Sequence, residues 1–378
     1  MKVLHLTSGN LFGGIETMLV SIARHAGFEP GLETQFAVCF DGRFRSELES
    51  SGAVVHCLGP VRARNPFGVR RARRALAQIL DREDIDVVIC HSAWPLAIFG
   101  AAVRANGRRL VLWQHAPNGG ASWLERWARK SRPELVIFNS EYTARLAQDS
   151  YPSARVAVLY CPVTLHGASD HLSASERAAA RADFDTSPND VVVVQVSRLE
   201  EWKGHRLHLE ALSQLRHIEG WVCWMVGGAQ QPAEERFFER LQRSAFELGI
   251  SDRVRFLGQR SDVPHLLEAA DIHCQPNIKP EAFGITYVEA LSAGLPVVAT
   301  ALGGAIEIVD ESCGILTSRP DADEVAAALR RLIVDAELRE RLGNAGPGRA
   351  RVLCDPPQQL HRLHELLQPS VHRETVSA

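Results

Sequence analysis

The 378-residue sequence contains no long apolar run and little net charge of either sign. No apolar stretch approaches the roughly 20 residues that a membrane-spanning helix needs, and the opening MKVLHLTSG has one lysine before a strand-like run, unlike a signal peptide. These absences predict a soluble, cytoplasmic protein. The formal net charge of −3 gives no overall attraction to nucleic acid, so we expect no nucleic-acid partner and only local polyanion-binding surfaces.

Clustered cysteines are also absent. The eight cysteines stand singly, mostly within apolar segments, and no CxxC pair occurs. This pattern favours reduced core thiols over disulfides or a metal site. The positions are Cys39, Cys57, Cys90, Cys161, Cys223, Cys274, Cys313 and Cys354.

Short apolar runs alternate with helix-like segments through two complete cycles. The runs of the first half are KVLHLT, TQFAVCF, AVVHCL, VVIC, RLVLWQ, LVIF and VAVLY. Those of the second half are VVVVQVS, WVCWMVG, RVRFLG, DIHCQP, PVVAT and GIL. Alternation of this kind predicts a doubly wound, parallel α/β sheet in each half. The chain also exceeds what one core usually supports, so two Rossmann-like domains are expected.

The pattern divides the chain into four parts. Residues 1–165 form the N-terminal domain, and the polar segment 166–188, which carries no strand pattern, is interpreted as a linker. Residues 189–352 form the second domain, and 353–378 hold a C-terminal helix, which could return to the first domain, and a disordered tail. Ligands of open α/β sheets bind outside the carboxyl ends of the strands, so two sheets facing each other would share a cleft.

Gly13 and Gly14 follow the first strand of the N-terminal domain and precede a helix pattern. Glycines at such a turn let the backbone approach a phosphate, and the helix N-terminus supplies N–H donors. A tight turn that requires a positive φ explains the same two glycines.

Two cations follow the first strand of the second domain. Arg198 and Lys203 stand in a loop before Gly204 and another helix pattern. The planar guanidinium of Arg198 beside the compact ammonium group of Lys203 suits a diphosphate ligand better than a ligand with a single carboxylate. A solvated surface pair is the alternative.

Two carboxylates lie in the stretch KPEAFGITYVEALSAGLPVVAT. Glu281 is placed in a loop, and Glu289 about one turn inside the helix that follows. The backbone N–H groups of residues 283–285 begin that helix and could bind a phosphate between the two acids. This spacing differs from the short-range pair of a glycosidase and favours a clamp on a nucleotide sugar.

These motifs together resemble those of glycosyltransferase family 4, the retaining GT-B enzymes. The resemblance rests on GGIET, SRLEEWKG, MVGG, RVRFLGQRSDVPHLLEAADI and EAFGITYVEALSAGLPVVAT, and it covers most of residues 1–345. It implies a GT-B fold, with two Rossmann-like domains across a cleft. The donor would be a nucleotide diphosphate sugar bound by the C-terminal domain, and the acceptor would bind to the N-terminal domain.

The family resemblance also implies a role for each matching residue. Arg198 and Lys203 would bind the donor diphosphate, Glu281 the hydroxyls of the transferred sugar, and Glu289 the ribose. Further donor contacts would come from Gly13, Gly14, Gly228, Gln259, Arg260, Phe283, Gly284 and Ile285.

Two histidines at strand ends complete the candidate site. By resemblance, His115 would lie near the reacting sugar and His91 would line the acceptor side. For both residues the alternative is a structural histidine whose hydrogen bonds are made within the protein.

The resemblance implies no required metal. In such a retaining transferase, cations and a helix start stabilise the leaving diphosphate, and a phosphate oxygen takes the proton of the acceptor. The two Asp-x-Asp pairs fit other roles. Asp84 and Asp86 precede a strand at its amino end, and Asp321 and Asp323 begin a helix.

The N-terminal domain contains two basic segments. Residues 61–74 hold six arginines, and Trp123 and Trp127 stand among basic residues of the segment ASWLERWARKSRP. A basic surface helix with tryptophans can bind an anionic membrane face, which suggests a lipid-linked or carbohydrate acceptor in polysaccharide, lipopolysaccharide or glycolipid assembly. A solvated helix with its tryptophans on the core is the alternative.

Three other functions fit the same architecture less well. A nucleotide-sugar epimerase would need carboxylates poised for proton abstraction, and a non-catalytic nucleotide-sugar binder would be expected to lack Lys203 or Glu281. A dinucleotide oxidoreductase would need a GxGxxG turn, which GNLFGGIE does not provide.

Overall fold

The computed structural model describes residues 1–10, 12–116, 122–165, 167 and 172–369. Within that part of the chain, thirteen strands form two separate parallel sheets of seven and six strands. Each strand coincides with one of the thirteen apolar runs, which confirms the prediction of two doubly wound α/β sheets. The chain forms two compact units: Met1–Asn139 with Ala144–Pro162 and the described residues from Pro356 onward, and Ser140–Thr143 with Val163–Asp355.

The first unit contains the seven-stranded sheet, in the order β3-β2-β1-β4-β5-β6-β7. Its strands are β1 (Lys2–Leu6), β2 (Glu33–Val38), β3 (Val54–Cys57), β4 (Val87–His91), β5 (Arg109–Gln114), β6 (Leu135–Phe138) and β7 (Arg155–Val158). The helices of this part of the chain are α1 (Gly14–His25), α2 (Arg43–Ser50), α3 (Pro66–Arg82), α4 (Ala93–Ala105), α5 (Trp123–Arg129) and α6 (Glu141–Ala147). The chain reverses its direction of winding between β1 and β4, so their carboxyl ends mark the switch point where ligands bind.

The second unit contains the six-stranded sheet, in the order β10-β9-β8-β11-β12-β13. Its strands are β8 (Val191–Val196), β9 (Trp221–Val226), β10 (Val254–Gly258), β11 (Ile272–Gln275), β12 (Val297–Thr300) and β13 (Gly314–Thr317). Its helices are α7 (Ala174–Ala182), α8 (His205–Gln214), α9 (Pro232–Glu247), α10 (Val263–Ala269), α11 (Ile285–Ser292), α12 (Ala305–Ile308), α13 (Ala322–Val334) and α14 (Ala336–Cys354). Here the switch point lies between β8 and β11.

Helix α7 lies inside the segment interpreted as a linker and was not predicted from the sequence. Ser173 and Glu176 form a capping box that begins the helix. The buried Arg181 donates to the backbone oxygen of Ala269 and to the carboxylate of Asp271, the latter at 2.6 Å. The side chain therefore fixes α7 to the second unit, and much of residues 166–188 is part of a packed domain.

The last described helix, α15 (Pro356–Leu367), belongs to the first unit. Glu29 accepts hydrogen bonds from Nδ1 of His361 and Nδ1 of His364, each at 2.9 Å. The backbone oxygen of Leu367 accepts a further bond from Arg109 at 2.6 Å. The chain thus crosses back to the first sheet after α14.

All eight cysteines are free thiols, and seven of them are buried. This confirms the interpretation of reduced core thiols. Within the described ranges, no helix is long and apolar enough to span a membrane.

Candidate active site

The loops that follow β8 and β11 pack against each other at the switch point of the second unit. Gly204 makes the approach possible: its φ is +75°, and a Cβ there would lie 1.9 Å from the carbonyl oxygen of Pro276. The backbone N–H of Ile278 also donates to the carbonyl oxygen of Trp202 at 2.9 Å. Only glycine fits at position 204, so this residue fixes the distance between the two loops.

An ion pair joins these loops. Nζ of Lys203 lies 2.5 Å from Oε2 of Glu281, and both side chains are only 13% exposed. Nδ2 of Asn277 donates to the same oxygen at 2.9 Å. No described residue donates to Oε1 of Glu281, so that oxygen can accept a hydrogen bond from a ligand. The structure therefore brings together Lys203 and Glu281, which are 78 positions apart in the sequence.

Buried amides hold both members of the pair. Nε2 of Gln195 donates to the backbone oxygen of Lys203 at 2.9 Å, and Oε1 of Gln195 bonds Nδ1 of His208 at 2.9 Å. Gln275 and Asn277, also buried, are bonded to each other at 3.2 Å beside Glu281. These amides were not predicted from the sequence, although each lies near or just beyond a strand end, where ligand sites are expected.

Arg198 has a different environment from Lys203. Its guanidinium pairs with Glu200 at 2.9 Å, and its side chain is 38% exposed. Arg198 therefore has no direct contact with the Lys203–Glu281 pair, although it lies in the same loop. Its side chain remains accessible to a ligand.

Helix α11 begins beside Glu281, as predicted. Gly284 is its N-cap with φ of 107°, and a Cβ there would lie 2.3 Å from the ring of Tyr287. Phe283 is buried, so its ring is not exposed to a ligand. The first N–H groups of a helix have no partner in the preceding turn. That of Tyr287 donates to the carbonyl oxygen of Gly284 at 3.1 Å, so the N–H groups of Ile285 and Thr286 provide the anion-binding end. Glu289 lies inside α11, so the two acids do not share a helix face.

Glycines bring the ends of β8, β9 and β10 close together. A Cβ on Gly227 would lie 2.0 Å from the carbonyl oxygen of Ser197, and one on Gly228 would lie 2.7 Å from the backbone nitrogen of Gln259. Arg260 is held by a bidentate pair with Asp262, at 2.8 and 2.6 Å. The guanidinium is thus already engaged, which leaves the backbone of this segment for recognition.

In the first unit, His91 and His115 contact each other directly. Nδ1 of His91 lies 2.9 Å from Nε2 of His115, and Nε2 of His91 lies 3.0 Å from Nδ1 of His5. His5, which lies in β1, was not predicted from the sequence as a site residue. Burial lowers the pKa of His5 and of His115 to about 3, and the pKa of His91 is also lowered. Residues 117–121, which follow His115, lie outside the described residues.

The two N-terminal glycines do not form a tight turn of positive φ. Gly13 is the N-cap of α1 with φ of −161°, and Gly14 is the first residue of the helix. The N–H of Gly13 donates to Oε2 of Glu16 at 3.0 Å, which is one of the two hydrogen bonds of a capping box; glycine has no side chain to make the other. The alternative explanation for Gly13 is therefore wrong.

The Asp-x-Asp pairs have local structural roles. The carboxylate of Asp86 accepts the backbone N–H of Lys2 at the amino end of the sheet, at 2.8 Å. Asp321 caps α13 by accepting the N–H groups of residues 323 and 324. The expectation that catalysis needs no metal remains a prediction.

Comparison with known proteins assigns the chain to a family. The sequence model described as Glycosyltransferase Family 4 matches residues 12–166, and that of Glycosyl transferases group 1 matches residues 176–349. A GDP-mannose-dependent alpha-(1-6)-phosphatidylinositol monomannoside mannosyltransferase of Mycolicibacterium smegmatis is 31% identical over 288 residues, 72% of this chain and 73% of the relative. This chain belongs to glycosyltransferase family 4.

Other relatives of this glycosyltransferase agree in class. A D-inositol 3-phosphate glycosyltransferase of Corynebacterium jeikeium is 32% identical over 252 residues, 64% of this chain and 59% of that protein. The crystal structure of Anabaena HepE in complex with UDP and glucose has a TM-score of 0.85 and 25% identity, and the match covers 97% of this chain and 99% of HepE. The glycosyltransferase thus has the GT-B fold, which confirms the prediction from its motifs.

Proposed function

We propose that this glycosyltransferase is a retaining enzyme that transfers a hexosyl group from a nucleotide diphosphate sugar to a hydroxyl acceptor. The main support for this proposal is the Lys203–Glu281 pair beside the start of α11, at the switch point of the second unit. It combines a cation, a sugar-facing carboxylate oxygen and helix N–H donors at one place. The relatives that use GDP-mannose and the UDP complexes of HepE support a nucleotide-sugar donor.

The proposed donor contacts divide along the length of the nucleotide sugar. Lys203 and Arg198 bind the diphosphate together with the N–H groups at the start of α11. Oε1 of Glu281 accepts a sugar hydroxyl, since Oε2 is already engaged by Lys203 and Asn277. Glu289 binds the ribose. The backbone near Gly228, Gln259 and Arg260 flanks the base.

The proposed chemistry needs no general base from the protein. The nucleoside diphosphate leaves as the acceptor hydroxyl enters from the same face, and a phosphate oxygen takes the acceptor proton. The C–O bond to the leaving phosphate breaks as the new glycosidic bond forms. The protein stabilises the charge that develops on the leaving oxygen and orients both substrates, with no metal required.

A donor screen followed by product analysis tests this proposal. Thermal shift with UDP-glucose, UDP-galactose and GDP-mannose identifies the donor, since a ligand at 100 times its Kd adds about 2.7 kcal/mol of stability. NMR of the transfer product then reports its anomeric configuration. We expect retention of the donor's configuration and unchanged rates in EDTA. Inversion, donor epimerisation or binding without transfer would each overturn the proposal in a different way.

We further propose that the acceptor is lipid-linked or a carbohydrate, and that the enzyme works at the cytoplasmic face of a membrane. Phe67 at the start of α3 is 84% exposed, and Trp123 of α5 is 56% exposed. Trp127 instead packs against the core, and Arg73 donates to the carbonyl oxygen of Ile98. Five arginines of the basic segment 61–74 are exposed and have no acidic partner among the described residues: Arg62, Arg64, Arg70, Arg71 and Arg74.

Vesicle sedimentation tests the membrane proposal. Each basic residue near an anionic surface contributes about 1 kcal/mol, so Arg70→Glu with Arg74→Glu should weaken binding to phosphatidylglycerol vesicles at least about 30-fold. Arg330→Glu with Arg341→Glu makes the same charge change on exposed residues of the second unit and should have little effect. Equal binding to neutral and anionic vesicles would remove the proposal.

A further inference from the structure

Three imidazoles form a hydrogen-bonded row across neighbouring strands of the first sheet. His5 lies in β1, His91 ends β4, and His115 follows β5. The two bonds, at 3.0 and 2.9 Å, each join a Nδ1 to the Nε2 of the next ring toward the strand ends. The rings are stacked with centroids 5.2 Å apart in both pairs. The row therefore runs from the sheet interior to its ligand-binding edge.

The row is neutral. His5, His91 and His115 are 0%, 2% and 9% exposed, and no described carboxylate contacts any of them. Burial lowers the pKa of all three, and for His91 the neighbouring imidazoles lower it further. An unpaired buried cation would be costly, so each ring carries one proton.

Neutral rings make the two hydrogen bonds point in the same direction. A neutral imidazole has one donor and one acceptor, so His91 donates to one neighbour and accepts from the other. If each ring donated inward, from His115 to His91 and from His91 to His5, the remaining proton of His5 would lie on its Nε2. That nitrogen is buried and has no partner among the described residues. A buried N–H without an acceptor is rarer and costlier than an unused acceptor. The row therefore runs outward, and each ring carries its proton on Nδ1.

We propose that His5 and His91 are positioning residues that hold His115 as an Nδ1–H donor at the carboxyl edge of the first sheet, directed at an oxygen of a substrate bound there. His115 then donates a hydrogen bond and does not act as a base through Nδ1. The inference rests on the proposed function, because the ligand bound at that edge would be a substrate of the transferase. The tautomer itself can be measured without any substrate.

Two other histidines of the first unit provide internal references. Nδ1 of His25 donates to the backbone oxygen of Ser21 at 2.8 Å, so this ring carries a proton on Nδ1. Nε2 of His56 bonds Oε1 of Gln35 at 2.8 Å, which favours the opposite tautomer. The spectra of this one protein therefore contain an example of each form.

Long-range ¹⁵N–¹H correlation spectra of the histidine-labelled full chain at pH 7 measure the tautomers directly. Single substitutions assign the signals. We expect His5, His91 and His115 to match the Nδ1–H pattern of His25. An Nε2–H or doubly protonated His115 would overturn the inference and leave the proposed function standing, since the spectra need no donor.

Substitutions of His5 then link the tautomer to transfer. In His5→Asn the side-chain amide can donate from the position of Nδ1, whereas His5→Leu fills the site without a donor. In transfer assays with the donor that the thermal-shift screen selects, we expect kcat of His5→Asn within about threefold of wild type. That of His5→Leu should fall about tenfold or more, because the wrong imidazole tautomer severely impairs catalysis. A His115 that stays an Nδ1–H donor in His5→Leu would contradict the role of His5.

Discussion

Two substitutions in the Lys203–Glu281 pair test the diphosphate contact and the sugar contact separately. Lys203→Met removes the cation and keeps the length of the side chain. Glu281→Gln keeps an acceptor oxygen toward the sugar and removes the anion that holds Lys203 at 2.5 Å. If Lys203 binds the diphosphate, the first variant should lose affinity for a nucleoside diphosphate and the second should not.

The size of the expected loss follows from the environment of Lys203. Its side chain is 13% exposed, so the charge is screened less than that of an exposed surface pair. A hydrogen bond to a charged group contributes about 1.5–3 kcal/mol. We therefore expect Lys203→Met to weaken binding of UDP or GDP by about 10- to 150-fold. Glu281→Gln should bind within about threefold of wild type or more tightly, because Lys203 no longer has to leave an anionic partner.

Isothermal titration with UDP and with GDP, neither of which carries the sugar, measures this difference. Arg206→Met is the matched control, since Arg206 pairs with Glu210 on the exposed face of α8. Thermal unfolding of each variant shows whether the fold persists. Wild-type affinity in Lys203→Met would refute the diphosphate contact. An equal loss in Glu281→Gln would show that the pair acts as a structural unit.

The remaining predictions concern the glycine contact and the C-terminal helix. Gly220→Ala should lower the free energy of unfolding by about 1–2 kcal/mol through its positive φ alone. Gly204→Ala should lower it more, as measured by urea unfolding, because its Cβ would meet the backbone of Pro276. Equal losses in the two variants would contradict the close approach of the two loops. The bond to Glu29 raises the pKa of His361 above 6.5, and the bonds from His361 and His364 lower that of Glu29 below 4.5. The stability that His361 contributes is fully present below its ordinary pKa and is lost as pH rises through its pKa in the folded protein. The stability that Glu29 contributes is fully present above its ordinary pKa and is lost as pH falls through its pKa in the folded protein. Hydrogen exchange of α15, corrected for intrinsic rates, should thus show most protection between about pH 4.5 and 6.5, and Glu29→Gln should remove this pH dependence.

Local patterns explain why the strands and loops could be predicted. Continuous apolar runs identify strands buried on both faces, and glycine and proline mark the loops around Glu281. Helix α7 was missed because its sequence, ASERAAARA, has only a small apolar face, and the buried salt bridge of Arg181 replaces the usual hydrophobic contact. The capping box at Ser173 was the available signal.

The sequence by itself determined the strand pattern, the family motifs and the positions of Lys203 and Glu281 at strand ends. Only the tertiary structure decided which side chains meet. Parallel neighbours are joined through crossovers, so contacts such as Lys203 with Glu281, or His5 with His91, join residues 78 and 86 positions apart. No local pattern encodes such a distance, because the order of strands is fixed by how the helices pack over the whole sheet. The direction of the histidine row depends in addition on one buried nitrogen of His5, which has no hydrogen-bond partner in the part of the chain that the structure describes.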